Sequence, residues 1–131
     1  MKDWTPIQER YLRDAIPTRL GGLASDLSRI KSTAPYEANQ SVVAGLLDES
    51  KHFIEWTAHE TEIETAGYLA KLQIELALWQ RQLPDRWQNP TDRQRLANQA
   101  ATWSQQVLER SGLLGWDSTV TILDAERLSP V

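Results

Sequence analysis

The sequence predicts an all-α fold, an antiparallel helical bundle built around one long central helix and followed by a short extended tail. Three observations predict it. Apolar residues recur at three- and four-residue spacing through three long segments. Proline and glycine gather at the junctions between those segments. Capping patterns open the segments.

The first segment opens with Thr5 as a cap, Pro6 in the first turn and Gln8 at capping-box spacing. Leu12, Ile16, Leu20, Leu23, Leu27 and Ile30 follow. At about 100° per residue they fall within a sector of roughly 80°. Their phase persists through Pro17 and Gly21-Gly22, so one helix is expected over 6–32, bent at Pro17. Two short helices meeting at the proline are the alternative. The glycine pair either lets another helix approach closely or weakens the segment.

Residues 32–38, with Pro35, form a connection. No further proline occurs until Pro84. Val43, Leu46, Leu47, Phe53 and Ile54 share a helical phase with Tyr68, Leu72, Leu76, Trp79 and Leu83. Thr57, Thr61 and Thr65 lie on the same side between the two groups. One continuous helix is therefore expected over 40–83, about 65 Å long at about 1.5 Å per residue. A rival reading breaks it near the middle, where Thr57…Glu60 and Thr61…Glu64 both have capping-box spacing. That break gives a four-helix, up-down-up-down bundle. The second half also carries a further apolar face of small and branched residues, Ile63, Ala66, Gly67, Ala70, Ile74 and Ala77. A helix with two apolar sides is sandwiched, within its own fold or between subunits.

Residues 84–90 are the next turn. The last helix takes Thr91 as cap and Gln94 at box spacing, buries Leu96, Ala100, Trp103 and Val107, and stops at Gly112-Leu113. Beyond it Thr119–Leu123 alternates like a short strand, and Asp124–Leu128 reads as a helical turn. The domain reading is a helical bundle over 1–114 and a C-terminal tail over 115–131. In this arrangement the first helix packs on residues 40–65 and the last on 62–83. Each half is left two layers thick, and two antiparallel chains together close a four-helix core.

Composition narrows the function. The chain has 131 residues, 40% hydrophobic and 24% charged, as expected of one globular domain. No apolar run reaches the length of a bilayer span, so no membrane insertion is expected. The start, MKDWTPIQER, lacks the apolar stretch of a signal peptide. The expected location is the cytoplasm. The absence of cysteine excludes disulfides, thiolate metal sites and cysteine nucleophiles. A net charge of −4 gives no global attraction to nucleic acid.

The histidines, His52 and His59, lie with Glu49 and Glu55 in a Glu-x-x-His-x-x-Glu-x-x-x-His pattern. Di-iron carboxylate bundles use Glu-x-x-His, but in two copies with two further carboxylates. One copy stands here, and it points away from Val43, Leu47 and Ile54. The preferred reading is a polar face, with a metal or small ligand as the alternative and no cofactor implied. Glu55, Glu60, Glu62 and Glu64 make the middle acidic and are expected to pair with arginines such as Arg10, Arg13 and Arg19 or Arg93, Arg95 and Arg110. Phosphate-loop, dinucleotide and nucleophile-elbow motifs are absent. The arginines of the first helix scatter around it, so a nucleic-acid-associated regulator is a second alternative only.

Trp79 and Trp103 fall on buried stripes. Trp56 falls off them, near the His52/His59 side, and an exposed tryptophan argues for contact with another chain. Trp4, Trp87 and Trp116 lie in terminal or connecting segments, where they cover bundle ends or belong to a binding surface.

Several stretches carry a resemblance: Tyr11-Leu12 with Arg19–Ala24 and Leu27–Ile30, Leu46–Lys51 through Phe53–Ala58, Leu76–Arg81, and Trp103-Ser104 with Val107-Leu108 and Ser111–Leu114. They resemble small uncharacterised all-helical proteins of cyanobacterial genomes, over most of residues 5–114. The resemblance implies a cyanobacterial source and an intracellular setting, and brings no known activity. The functional expectation is a non-enzymatic protein–protein interaction or adaptor protein. Its partners are a second copy of itself and another protein, contacted through Trp56, Ile63, Gly67, Ala70, Ile74 and Trp116.

Overall fold

Pro17 settles where the first helical stretch divides. A proline ring collides with the carbonyl four residues earlier and offers no N–H to it. In the computed structural model, which describes residues 2–113, the chain leaves helical geometry before that collision arises. Helix α1 runs Thr5–Leu12, Arg13 caps it, Ala15 is extended (ψ 157°), and α2 runs Ile16–Thr33 with Pro17 in its first turn. The single helix expected over 6–32 is therefore two helices, and the break falls just ahead of the proline.

The helix expected over 40–83 is also two. Helix α3 runs Gln40–Thr57, a 3-10 turn covers Ala58–Glu60, and α4 runs Ile63–Arg86. Thr61 and Glu62 are extended, with ψ of 166° and 162°. Neither proposed capping box forms. Instead Glu62 caps α4, its Oε1 accepting from the Thr65 N–H (3.1 Å) and the Thr65 hydroxyl (2.7 Å). Burial drives the reversal, because folding α4 back on α3 lets both apolar stripes face one core. Phase alone did not discriminate, since the stripes of a continuous helix and of this hairpin have the same spacing.

Helix α5, Pro90–Ser111, completes the described fold. Its cap is Asn89, whose side chain accepts from the Thr91 N–H at 2.9 Å, rather than Thr91 itself. At the first helix the Asp3 carboxylate takes the Thr5 N–H, again two residues ahead of the expected cap. Helix α4 carries Pro84 inside it and reaches Arg86, so the expected turn over 84–90 shrinks to Trp87–Asn89. Gly112 ends α5 with a left-handed φ of 87°. The proposed strand at 119–123, the turn at 124–128, and Trp116 lie outside the described residues.

The connections make α2, α3, α4 and α5 run alternately up and down, with the short α1 laid against α3. Each seam has cross-links. Arg19 reaches Glu60 between α2 and the end of α3. Lys51 and Gln80 pair at 2.8 Å between α3 and α4. Trp79 and Trp103 donate to Gln99 and Glu75 between α4 and α5. Helices α5 and α2 approach so closely that the Ser104 hydroxyl bonds the Ala24 carbonyl at 2.8 Å. Ala24 stands opposite Ser104 there, and a Cβ at Gly21 would come within 2.8 Å of the Leu113 side chain just past α5. The last helix thus packs most closely on the first long one, not on 62–83 as expected. One chain closes the four-helix core alone, so a second chain is not needed to complete it.

The core follows the expected stripes except at Leu12, which is exposed, and at Ile16 and Tyr68, which are half-buried. Leu20, Leu23, Leu27 and Ile30 of α2, Val43, Leu46, Leu47, Phe53 and Ile54 of α3, Leu72, Leu76, Trp79 and Leu83 of α4, and Leu96, Ala100, Trp103 and Val107 of α5 are all buried. At about 1.5–3 kcal/mol for each large apolar side chain, their burial dominates the fold's stabilisation.

Two buried arginines tie the bundle ends. Arg19 donates to the Asp14 carbonyl (2.8 Å) and the Leu12 carbonyl (3.3 Å), which terminates α1, and to Glu60 (2.8 Å). Arg93 donates to the carbonyls of Trp87 and Pro35 at the other end and lies over the Trp87 ring. The Trp87 indole N–H donates to the Glu37 carbonyl at 2.7 Å. These bonds satisfy carbonyls that the helix ends and the connections leave unpaired.

Candidate functional site

Among the described residues the outer side of α4 is the most conspicuous unpartnered surface. Ile63 is 86% exposed, Ile74 62% and Leu78 50%. Gly67 and Ala70 lie between them and are exposed too. At about 100° per residue, Ile63, Gly67, Ala70, Ile74 and Leu78 share one face. The opposite side of α4 buries Leu69, Leu72, Leu76, Trp79 and Leu83. The helix therefore has the two apolar sides expected, and the fold of one chain uses only one of them. No Cβ at Gly67 would meet any atom within 4 Å, so the middle of the face is open to an approaching surface. Glu62 and Glu64 stand at the start of α4, Arg81 and Asp85 share the face near its end, and Arg86 lies over the Trp79 ring on the other side.

Trp56 is not part of this surface. It is 8% exposed, because α1 covers the side of α3 on which it stands. Tyr11 stacks on Phe53 with centroids 4.0 Å apart, and Trp56 meets both rings. Trp4 stacks on His52 at 4.0 Å and meets Trp56 edge-on. Five aromatic rings thus fasten α1 to α3. The expectation of an exposed Trp56 assumed that nothing lay over that face.

The same cover dissolves the His/Glu constellation. His52 lies under Trp4, its Nδ1–H donating to the Asp48 carbonyl at 2.8 Å. His59 stands in the turn after α3 and is exposed, as is Glu55. Glu49 turns towards Asp26 of α2. The four side chains do not converge, and no group of three His, Asp or Glu residues suited to a metal ion forms among the described residues. Of the acidic middle, Glu60 pairs with Arg19, and that contact holds its carboxyl below the ordinary range. Glu62 is held low by the two bonds from Thr65.

Sequence reasoning missed Asp26. It lies on α2 beside Leu23, Leu27 and Ile30, and is buried. The local signal is weak: at about 100° per residue Asp26 falls about 40° outside the sector that the apolar residues of α2 occupy. Arg19 and Arg93 were expected to pair with the acidic middle; Arg19 does so with Glu60, whereas Arg93 donates to the Trp87 and Pro35 carbonyls. The burial of both was not anticipated.

No family model matches the chain, and comparison with curated proteins and with solved structures finds no match. Among the described residues no helix is long and apolar enough to cross a membrane.

Proposed function

We propose that the protein is a non-enzymatic, protein-binding bundle whose first partner is a second copy of itself, docked through the outer face of α4. The observation that carries this reading is the exposure of Ile63, Ile74 and Leu78 on one side of a helix whose other side is already buried. Large apolar side chains lined up on an exposed face are favourable only when another surface covers them.

The face is self-complementary in the antiparallel sense. Setting two α4 helices antiparallel about the midpoint between Ala70 and Lys71 places Ile63 opposite Leu78 and, at the centre, Ile74 opposite Gly67, a large residue against a small one. The same pairing brings the acidic start of one helix, Glu62 and Glu64, towards Arg81 of the other. A parallel pairing sets like charges side by side. The contact is one between finished bundles and not an exchange of core helices, so it suits an association that forms and dissolves without unfolding.

Sedimentation equilibrium on the whole chain tests this. Wild type is expected to self-associate at micromolar concentration, and Ile63→Ser/Ile74→Ser to remain monomeric with an unchanged circular dichroism spectrum. A wild-type monomer at those concentrations rules the reading out.

A further inference from the structure

Asp26 is only 7% exposed, and its Oδ2 is buried without any hydrogen-bond donor. Asp26 shares a groove with Phe53 of α3, and Glu49, one turn before Phe53, acts on it as a charge and as a hydrogen-bond partner. Two neighbouring carboxylates do not both ionise readily in a desolvated place. A proton on one converts their repulsion into an O–H···O bond. The other groups around Asp26 do not supply that bond. Arg29 on α2 and Lys2 of the N-terminal segment act on it as charges, more weakly than Glu49 does. The Tyr11 hydroxyl of α1 is spent on the Arg19 carbonyl, to which it donates at 2.6 Å.

We propose that Asp26 and Glu49 share one proton, which latches α2 to α3 while it is bound and turns the same contact into a repulsion when it leaves. Asp26 also lines an open groove of about 590 Å³, together with Tyr11, Gly21, Gly22, Phe53 and Leu108, so the proton exchanges with solvent without unfolding. The latch lies beside the Tyr11–Phe53 stack, and its release loosens the seam that α1 covers.

Burial first, and Glu49 second, push the Asp26 carboxyl up to about 7 from an ordinary 3.8. Because the folded state holds the proton more tightly than the unfolded chain, the latch stabilises in full below the ordinary value. Its contribution declines as pH rises and is gone above about 7.

The test combines a carbon-13 titration of the Asp26 carboxyl in the folded protein with urea unfolding across the same pH range. The Asp26 midpoint is expected near 7. The wild-type unfolding constant is expected to rise by up to about tenfold per pH unit on the way to that midpoint. Asp26→Asn keeps the shape and gives Glu49 a permanent amide donor, so it is expected to remove most of this slope and to be more stable than wild type at pH above the midpoint. An Asp26 carboxyl titrating in the ordinary range, or a variant that keeps the wild-type slope, overturns the proposal. Should Asp26→Asn not fold, Glu49→Gln serves: it donates to an ionised Asp26, so the Asp26 midpoint must fall, and an unchanged midpoint is equally fatal.

Discussion

Arg19 and Glu60 meet at 2.8 Å across 41 residues of sequence, and the pair joins the two interruptions of helix at one end of the bundle. Its guanidinium holds the Leu12 and Asp14 carbonyls of the first interruption and the Glu60 carboxylate of the second. A planar fork with several donors suits that geometry, and a lysine ammonium does not.

Replacing Arg19 by alanine strips three acceptors at once from a largely buried site. The expected loss is about 2–4 kcal/mol in urea denaturation. Arg19→Lys is expected to recover less than half of it. Glu60→Gln is expected to cost clearly less than Arg19→Ala, because Glu60 is exposed to solvent and its pairing is screened. A wild-type midpoint for Arg19→Ala contradicts the account of this end.

At the other end Trp87 and Arg93 do the equivalent work. Trp87→Phe keeps an aromatic ring but removes the indole N–H bond to Glu37 and part of a fully buried side chain, so about 2–3 kcal/mol is expected. Trp87→Ala opens a cavity as well and is expected to cost about 3–5 kcal/mol. Equal losses from the two substitutions mean that the bond to Glu37, and not the packing, dominates.

Trp56 separates a core role from an interface role. Buried among Tyr11, Phe53, His52 and Trp4, it is expected to cost about 3–5 kcal/mol on replacement by alanine. Under conditions where that variant remains folded, its self-association is expected to match wild type. A stable Trp56→Ala protein that no longer self-associates reverses this assignment.

The acid side of the stability profile has the opposite sign to the latch. Glu60, Glu62 and Asp3 are held below their ordinary values of 4.5, 4.5 and 3.8 by Arg19, Thr65 and Thr5. These groups bind protons more weakly in the fold than in the unfolded chain. Their contribution is complete above those ordinary values and is lost as pH falls through the lower folded ones. Since Asp26 works in the other direction, the melting temperature is expected to peak at weakly acidic pH and to fall on both sides. A flat profile between acid and neutrality removes both contributions.

The stripes that make the core were legible from spacing alone: Leu20–Ile30, Val43–Ile54, Leu72–Leu83 and Leu96–Val107 are buried as read. The outer face of α4 was legible for the same reason, since Ile63, Gly67, Ala70 and Ile74 hold their own helical phase. The breaks were harder. Spacing is identical for a straight helix and for a hairpin whose halves face a common core, so only extended residues such as Ala15, Thr61 and Glu62 distinguish them. What remained hidden depends on contacts far apart in the chain. Trp56 is buried only because α1 lies over α3, and Arg19 and Arg93 each tie a nearby helix end to a remote partner, Glu60 and the Pro35 carbonyl. Asp26 stands beyond the edge of the apolar sector of α2, and it is buried where Tyr11 of α1 and Phe53 of α3 close over that edge.

The absence of cysteine allows the central claim, self-association through α4, to be tested at a single position. Ala70→Cys places a thiol at the middle of the exposed face, and Ser28→Cys places one on the exposed side of α2 as a control. Under mild oxidation at micromolar concentration, Ala70→Cys is expected to become a disulfide-linked dimer and Ser28→Cys to stay monomeric. Equal cross-linking of the two variants, or none at Ala70→Cys, contradicts the account.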